Sequence, residues 1–211
     1  MPRWPSPALV LISDRARLRG RSFPEIAAQA VAAGVTAVQV RERDLPAAEL
    51  LALVEAVRAA VGDRASVLVN DRLDVALACD AGAHLPERGL PPAVARRLLG
   101  KSPLLGRSVH SVDAARASAG VDYLHVGAVY ETISKPGARP AGVSLVRDVA
   151  AATDLPVVAV GGITPERIAE VIEAGARGVA VIGAILDADD PGRAAAGLRH
   201  ALDRAVSKLE T

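Results

Sequence analysis

The chain alternates short apolar runs with longer stretches in which apolar residues recur at helical spacing. The apolar runs predict eight strands, at residues 8–12, 37–40, 66–69, 83–85, 104–109, 123–126, 156–160 and 179–182. The intervening amphipathic stretches predict helices at 23–33, 45–61, 72–79, 91–99, 111–119, 143–152, 164–175 and 191–209. Because the strand segments are almost continuously apolar, we expect a parallel sheet that is buried on both faces.

Eight strand-then-helix units in 211 residues predict a single (β/α)8 TIM barrel of the α/β class. We expect one domain over residues 1–211, because no stretch has the composition of a linker. The alternative, an open doubly wound sheet, would place a glycine-rich loop after its first strand. Ser13, Asp14 and Arg15 follow that strand instead, so the barrel is the favoured fold.

Composition narrows the functional class. Hydrophobic residues make up 51% of the chain, enough for a sizeable core, whereas aromatic residues make up 2%, which argues against a base-stacking nucleic-acid surface. The net charge of +1 favours neither a polyanion nor a membrane surface as a partner. No apolar run reaches the roughly 18 residues that a membrane-spanning helix needs, and the single Cys79 cannot form an internal disulfide. We therefore expect a cytoplasmic protein that binds a small molecule; the sequence leaves open whether it forms a homo-oligomer.

Polar residues cluster directly after the predicted strand ends. The five clusters are Arg41-Glu42-Arg43, Asn70-Asp71, Arg107-Ser108, Glu131-Thr132 with Ser134-Lys135, and Gly161-Gly162. One such cluster alone would be an ordinary solvated loop. In a (β/α)8 barrel, however, all five lie on the rim where active sites occur, so together they predict an active site.

Glycines after the last two strands give the clearest chemical signal. Gly161 and Gly162 follow strand seven, and Ile182 and Gly183 follow strand eight, where a short helix is expected to start near Gly183. Backbone N–H groups at glycines can approach an anion closely, so this arrangement predicts a phosphate site. The alternative is that the glycines merely turn the chain. Lys135, in the long loop after strand six, is a candidate for a second phosphate or a carboxylate, although a lone lysine is more often solvated.

Other candidate groups have both a chemical and a structural interpretation. Asp71 could hold Mg²⁺ through its oxygens, but its spacing favours an N-cap of the following helix. His84, His110 and His125 lie in or just after strands and are candidates for proton transfer. Because strand side chains alternate in direction, these histidines need not all face the rim.

Several motifs, spread in order over nearly the full length of the chain, match those of a known family. They lie at residues 39–43, 69–71, 106–111, 122–123 with Gly127, 131–135, 142–144 and 160–164. Through these motifs the chain resembles the thiamin phosphate synthase/TenI family of barrels. The resemblance implies one of two activities. A synthase joins hydroxymethylpyrimidine pyrophosphate to thiazole phosphate with Mg²⁺. A TenI-like tautomerase aromatises a carboxythiazole phosphate by moving a proton, without a metal or other cofactor.

For a synthase, the resemblance implies a set of substrate-binding residues. Those implied for the pyrophosphate or pyrimidine are Gln39, Arg41, Arg43 and Asn70, with Asp71 as a ligand of Mg²⁺. Those implied for the pyrophosphate or the thiazole side are Ser108, Thr132, Ser134 and Lys135. Those implied for the thiazole phosphate are Gly161, Gly162, Ile182 and Gly183.

The chain departs from both branches of the family. Gly89 stands where synthases usually carry a second metal-binding aspartate, and Glu87 is the nearby carboxylate that could replace it. Ala128 stands where the tautomerase branch can carry a proton-transferring histidine. The sequence around Leu85-Pro86 and the segment 106–111 are more similar to the tautomerase branch.

The sequence therefore predicts a TenI-like thiazole tautomerase, an isomerase whose substrate is a phosphorylated thiazole. We expect its phosphate on Gly161, Gly162 and Gly183, its carboxylate on Arg41, Arg43 or Lys135, and its proton moved by His84 or His125, with His110 and Glu131 as lesser candidates. The alternative is a Mg²⁺-dependent thiamin phosphate synthase. A further alternative is a thiazole phosphate binder or regulator that has no catalytic activity.

Overall fold

In the computed structural model, which describes residues 4–132 and 139–209, eight parallel strands close into a barrel. Each strand pairs with its sequence neighbours, and the eighth pairs with the first to complete the closure. The strands are Ala8–Ile12 (β1), Ala37–Val40 (β2), Ser66–Asn70 (β3), Gly82–Leu85 (β4), Leu105–Val109 (β5), Tyr123–Gly127 (β6), Val157–Val160 (β7) and Gly178–Val181 (β8). The predicted (β/α)8 barrel is confirmed, with strand bounds within one residue of most predictions.

The α-helices of the described ranges surround the barrel. They are Phe23–Ala32 (α1), Ala47–Val61 (α2), Leu73–Ala78 (α3), Pro92–Leu99 (α4), Val112–Arg116 (α5), Gly142–Ala152 (α6), Ile168–Glu173 (α7), Gly183–Leu186 (α8) and Pro191–Leu209 (α9). The short helix expected near Gly183 is present as α8. The helix predicted at 111–119 is shorter, because Ser118 donates a hydrogen bond back to the carbonyl of Ala114 and ends the helical ladder there. No helix in the described ranges combines the length and apolar character needed to span a membrane.

Strand side chains alternate between two buried layers. In β1, Leu9 and Leu11 pack outward against the helices, whereas Ala8, Val10 and Ile12 point into the barrel. Both layers exclude water, so the strand sequences are unbroken apolar runs and do not alternate between apolar and polar residues. This is why the strand positions could be predicted while the inward and outward faces could not.

Aromatic side chains fill the barrel interior at the amino-terminal ends of the strands. The ring of Trp4 stacks on the ring of Tyr123, with centroids 3.5 Å apart and planes 13° apart. Tyr123 is fully buried and passes over Gly106 in the neighbouring strand β5, where an added Cβ would lie 2.1 Å from the tyrosine Cζ. The barrel interior is therefore closed at its amino-terminal end and remains free at its carboxyl-terminal end.

Replacing Gly106 with alanine is expected to lower the free energy of unfolding by about 1–3 kcal/mol, because the new methyl group overlaps the buried Tyr123 ring. Urea denaturation would measure the change. The matched control is Gly197→Ala in α9, where an added Cβ meets nothing within 4 Å and alanine should be neutral or slightly stabilising. Equal stability of the Gly106 variant and the wild type would show that Tyr123 can move aside.

Candidate active site

A cavity of about 420 Å³ opens at the carboxyl ends of the barrel strands. Most of the residues proposed from the sequence line it: Gln39, Arg41, Arg43, Asn70, Ser108, His110, His125, Thr132, Gly161, Gly162, Ile182 and Gly183. Ser134 and Lys135 lie outside the described residues. His84 and Asp71 are not among the lining residues, and both lie beside the cavity at β3 and β4. The closed barrel thus brings the dispersed polar clusters to one place.

One end of the cavity is formed by the glycines after β7 and β8. Gly161 and Gly162 have φ values of +101° and +66°, in the region that favours glycine. An added Cβ would lie 2.7 Å from the Ala128 Cβ at Gly161, and 2.6 Å from the Glu131 carbonyl oxygen at Gly162. These positions therefore require glycine both for backbone conformation and for space.

Two arginines that sequence reasoning missed flank this glycine end. The Arg17 Nη1 lies 3.2 Å from the position of a Cβ added at Gly183, and the Arg167 Nη1 lies 3.3 Å from that at Gly162. Arg17 also forms ion pairs with Asp14 and, at 2.6 Å, with Asp187. Arg167 follows the glycine pair closely and could have been found by that proximity. Arg17 follows β1, and its approach to β8 exists only because the barrel closes.

The loop after β2 contributes further cationic side chains to the cavity. The backbone N–H of Arg41 donates to the Ser13 Oγ at 2.8 Å, and the Ser13 hydroxyl donates to the Glu42 carboxylate at 2.5 Å. Burial raises the pKa of Glu42, whereas burial and the neighbouring Arg43 lower the pKa of Arg41. The buried Glu42 therefore anchors the loop, while Arg41 and Arg43 face the cavity.

The floor of the cavity is polar on one side. The Gln39 Nε2 donates to the Asn70 Oδ1 at 3.1 Å, which joins the ends of β2 and β3. The buried Gln39 Oε1 has no hydrogen-bond partner in the described part of the chain. Ser108 completes this side from β5. The cavity is thus lined on this side by amide and hydroxyl groups that can bind a ligand with hydrogen-bonding atoms.

The three candidate histidines occupy different environments. His84 is buried beneath the cavity, and its ring nitrogens lie 2.9 Å from the Tyr123 Oη and 2.8 Å from the Ser108 Oγ. Burial is the main reason that its pKa is well below the ordinary value. His110 is exposed at the mouth, with its Nδ1 2.5 Å from the Glu87 carboxylate. Within the described residues, Tyr123 and Ser108 occupy both ring nitrogens of His84, and Ser108 is the one of these partners that lines the cavity.

His125 lines the cavity from β6 and is 2% exposed. Burial lowers its pKa to about 3, so the imidazole is neutral. The rings of His84 and Tyr123 face it, with centroids 4.3 Å and 5.2 Å away. A buried neutral imidazole is suited to hydrogen bonding rather than to charge pairing.

The depressed pKa of His125 predicts an acid-dependent loss of stability. Below the ordinary pKa of 6.5 the unfolded chain binds a proton that the folded chain rejects, until the pH reaches about 3. Stability is therefore retained above pH 6.5 and lost as the pH falls, by about 1.4 kcal/mol per pH unit. We expect His125→Phe to remove this contribution, which chemical denaturation between pH 7 and pH 5 would measure. If the free energy of unfolding changed with pH equally in the variant and the wild type, the expected titration of His125 would be contradicted.

The metal-binding potential of the site rests on Asp71. Its side chain does not cap α3, whose N-cap is Arg72 without a side-chain hydrogen bond, so the predicted cap is wrong. The cause is a turn at Asp71, where φ is +65°.

Gly89, which stands where a second metal-binding aspartate is usual in synthases, lies directly beside Asp71. A Cβ added at Gly89 would lie 3.1 Å from the Asp71 Oδ1. Glu87 pairs with His110. No group of three His, Cys, Asp or Glu side chains within the described ranges could hold a metal ion.

An eight-stranded barrel with a polar cavity at the carboxyl ends of its strands is the arrangement of a TIM-barrel enzyme. The model of the thiamine monophosphate synthase family (TMP-TENI) matches residues 9–185, and the chain belongs to this family. It is 43% identical to the thiamine-phosphate synthase of Moorella thermoacetica over 99% of this chain and 100% of that protein. It is 44% identical to the thiamine-phosphate synthase of Natronomonas pharaonis over 92% of this chain and 94% of that protein.

A solved structure supports the same conclusion. The thiamine phosphate pyrophosphorylase from Pyrococcus furiosus superposes with a TM-score of 0.85 and 33% identity, covering 94% of this chain and 96% of that one. The family expected from the sequence motifs is thus confirmed. The names of these relatives correspond to the synthase alternative, and they give no specific support to the tautomerase that the motifs favoured.

Proposed function

We propose that the protein is a thiamine-phosphate synthase, which joins hydroxymethylpyrimidine pyrophosphate to thiazole phosphate and releases pyrophosphate. One observation carries the proposal: two different sets of anion-binding groups line a single cavity. Arg41 and Arg43 come from the loop after β2, and the glycines after β7 and β8 lie close to Arg17 and Arg167. Joining two phosphorylated molecules requires an anion site for each, and the names of the relatives point to the same reaction.

In this reaction the bond between the pyrimidine methylene carbon and pyrophosphate breaks, and the electron pair leaves with pyrophosphate. The thiazole nitrogen then donates its electron pair to the methylene carbon. Arg41 and Arg43 stabilise the charge that develops on the departing pyrophosphate, because both arginines line the cavity. The glycine end holds the thiazole phosphate so that the two reacting atoms meet within one cavity.

The residues present fit a magnesium ion that shares its ligands with the substrate. Mg²⁺ commonly uses one or two carboxylates together with substrate phosphates and water. Asp71 supplies one carboxylate next to Asn70 at the end of β3. When bound, the ion would neutralise part of the pyrophosphate charge. Because Gly89 adds no second carboxylate, we expect weak binding of Mg²⁺ to the protein alone.

The first test is formation of thiamin phosphate from the two substrates and Mg²⁺, with a chelator as the negative condition. Asp71→Asn should raise the Mg²⁺ concentration for half-maximal activity by about tenfold, because one charged ligand is lost. The control is Asp74→Asn, since the exposed Asp74 pairs with Arg72 on the helix surface. Absence of thiamin phosphate under all Mg²⁺ concentrations would overturn the proposal.

The tautomerase is the second candidate, favoured by Gly89 beside Asp71 and by a neutral histidine in the cavity. It predicts metal-independent aromatisation of the carboxythiazole phosphate by protein that forms no thiamin phosphate. Tight binding of thiazole phosphate without turnover in either assay would instead support the binder or regulator.

A further inference from the structure

Two buried histidines lie side by side in the barrel but differ in their hydrogen bonding. The ring centroids of His84 and His125 are 4.3 Å apart and the planes are tilted by 40°. Both ring nitrogens of His84 have partners, Tyr123 and Ser108. The Nε2 of His125 is inaccessible to water in the free protein and has no partner in residues 4–132 and 139–209. Of the two, only His125 lines the cavity, and only its ring has a buried nitrogen without a partner in the described residues.

An unpaired buried nitrogen lowers stability, because it loses its hydrogen bonds to water without replacement. An apolar side chain of similar size would fill the same position in β6 without that loss. Since His125 also lines the cavity, the unused nitrogen is explained if a ligand supplies its partner.

The surroundings of His125 indicate which part of a ligand it meets. On β5 and β6, Ser108 and His125 are register partners, and β6 lies next to β7, which ends at the glycine pair. Polar lining side chains from neighbouring strands are Gln39, Asn70, Ser108 and His125. Apolar lining side chains from the opposite strands are Ile12, Val160, Ala180 and Ile182. A flat ring with a polar edge and an apolar face matches this division.

The neutral ring of His125 favours an uncharged polar partner over an anion. Burial holds the pKa of His125 near 3, so the ring is neutral at physiological pH and offers one N–H and one lone pair. We expect phosphate groups to bind to the arginines and glycines that line the cavity instead. The neutral imidazole is suited to a ring nitrogen, an amino group or a hydroxyl group.

We propose that His125 determines substrate specificity by hydrogen bonding, through Nε2, to the heterocycle of a bound phosphorylated substrate. The proposal rests on the proposed function for the identity of the ligands, which are thiazole phosphate and hydroxymethylpyrimidine pyrophosphate. Either heterocycle has the required polar edge, and separate titrations distinguish them.

The test compares wild type with His125→Phe, which keeps a ring of similar size and removes both nitrogens. In calorimetric titrations of each substrate alone, the affinity for one of them should fall by about 10-fold to 100-fold, since a neutral hydrogen bond to a buried group is lost. The affinity for inorganic phosphate should not change. The control is His200→Phe on the exposed surface of α9, which should leave all three affinities unchanged.

A second measurement separates a ligand role from a purely structural one. Without ligand at pH 7, His125→Phe should unfold at a higher urea concentration than wild type, because it removes the unpaired nitrogen. Unchanged affinity for both substrates, or lower stability of the free variant, would overturn the proposal. Binding of neither substrate to the wild type would remove both this proposal and the proposed function. Weakened substrate binding without thiamin phosphate formation by wild type would refute the synthase alone.

Discussion

Replacing Arg41 with glutamine is expected to lower kcat for thiamin phosphate formation by about 10²–10³-fold. Arg41 faces the cavity with its backbone fixed by Ser13 and with the buried Glu42 behind it. A preorganised cation of this kind stabilises charge that appears only as pyrophosphate leaves, so its loss should act on kcat more than on KM. Steady-state kinetics with each substrate varied in turn would measure the effect.

Two comparisons strengthen the Arg41 experiment. Arg41→Lys keeps the charge but not the planar donor arrangement, and should recover part of the lost rate. Arg116→Gln is the control, because Arg116 is exposed on α5 and outside the cavity. A raised KM with unchanged kcat in Arg41→Gln would show that Arg41 binds substrate and transition state equally, contrary to the proposed role.

Replacing Gly161 with alanine is expected to weaken binding of thiazole phosphate at least tenfold and to lower the free energy of unfolding by about 2–4 kcal/mol. The backbone φ of +101° is unfavourable for alanine, and the new Cβ would lie 2.7 Å from the Ala128 Cβ. Relief of that overlap requires movement of the loops after β6 and β7, which displaces the glycine end of the cavity. Calorimetric titration and urea denaturation would measure the two effects.

Gly120 provides a matched control for the Gly161 variant. Its φ is +92°, similar to that of Gly161, but an added Cβ meets nothing within 4 Å. Gly120→Ala should therefore carry only the backbone penalty, about 1 kcal/mol, and should leave substrate binding unchanged. Equal binding by the Gly161 variant and wild type would show that the phosphate lies elsewhere in the cavity.

The sequence by itself determined the repeat of strands and helices, and with it the closed barrel. Apolar runs of strand length can be buried on both faces only in a parallel sheet covered by helices, and eight such units close naturally. Closure also fixed where the polar clusters after each strand would meet. For this reason cavity residues that belong to these clusters, such as Arg41 and Asn70, could be predicted without coordinates.

The tertiary structure alone decided which of those residues have partners. His84 and His125 are both strand histidines, yet Tyr123 and Ser108 occupy both nitrogens of the first, whereas the second lines the cavity and has a nitrogen without a partner in the described residues. Arg17 reaches Gly183 across the seam between β1 and β8. Hydrogen bonding and close approach depend on side-chain direction and strand register between distant segments, and an apolar strand pattern with both faces buried specifies neither.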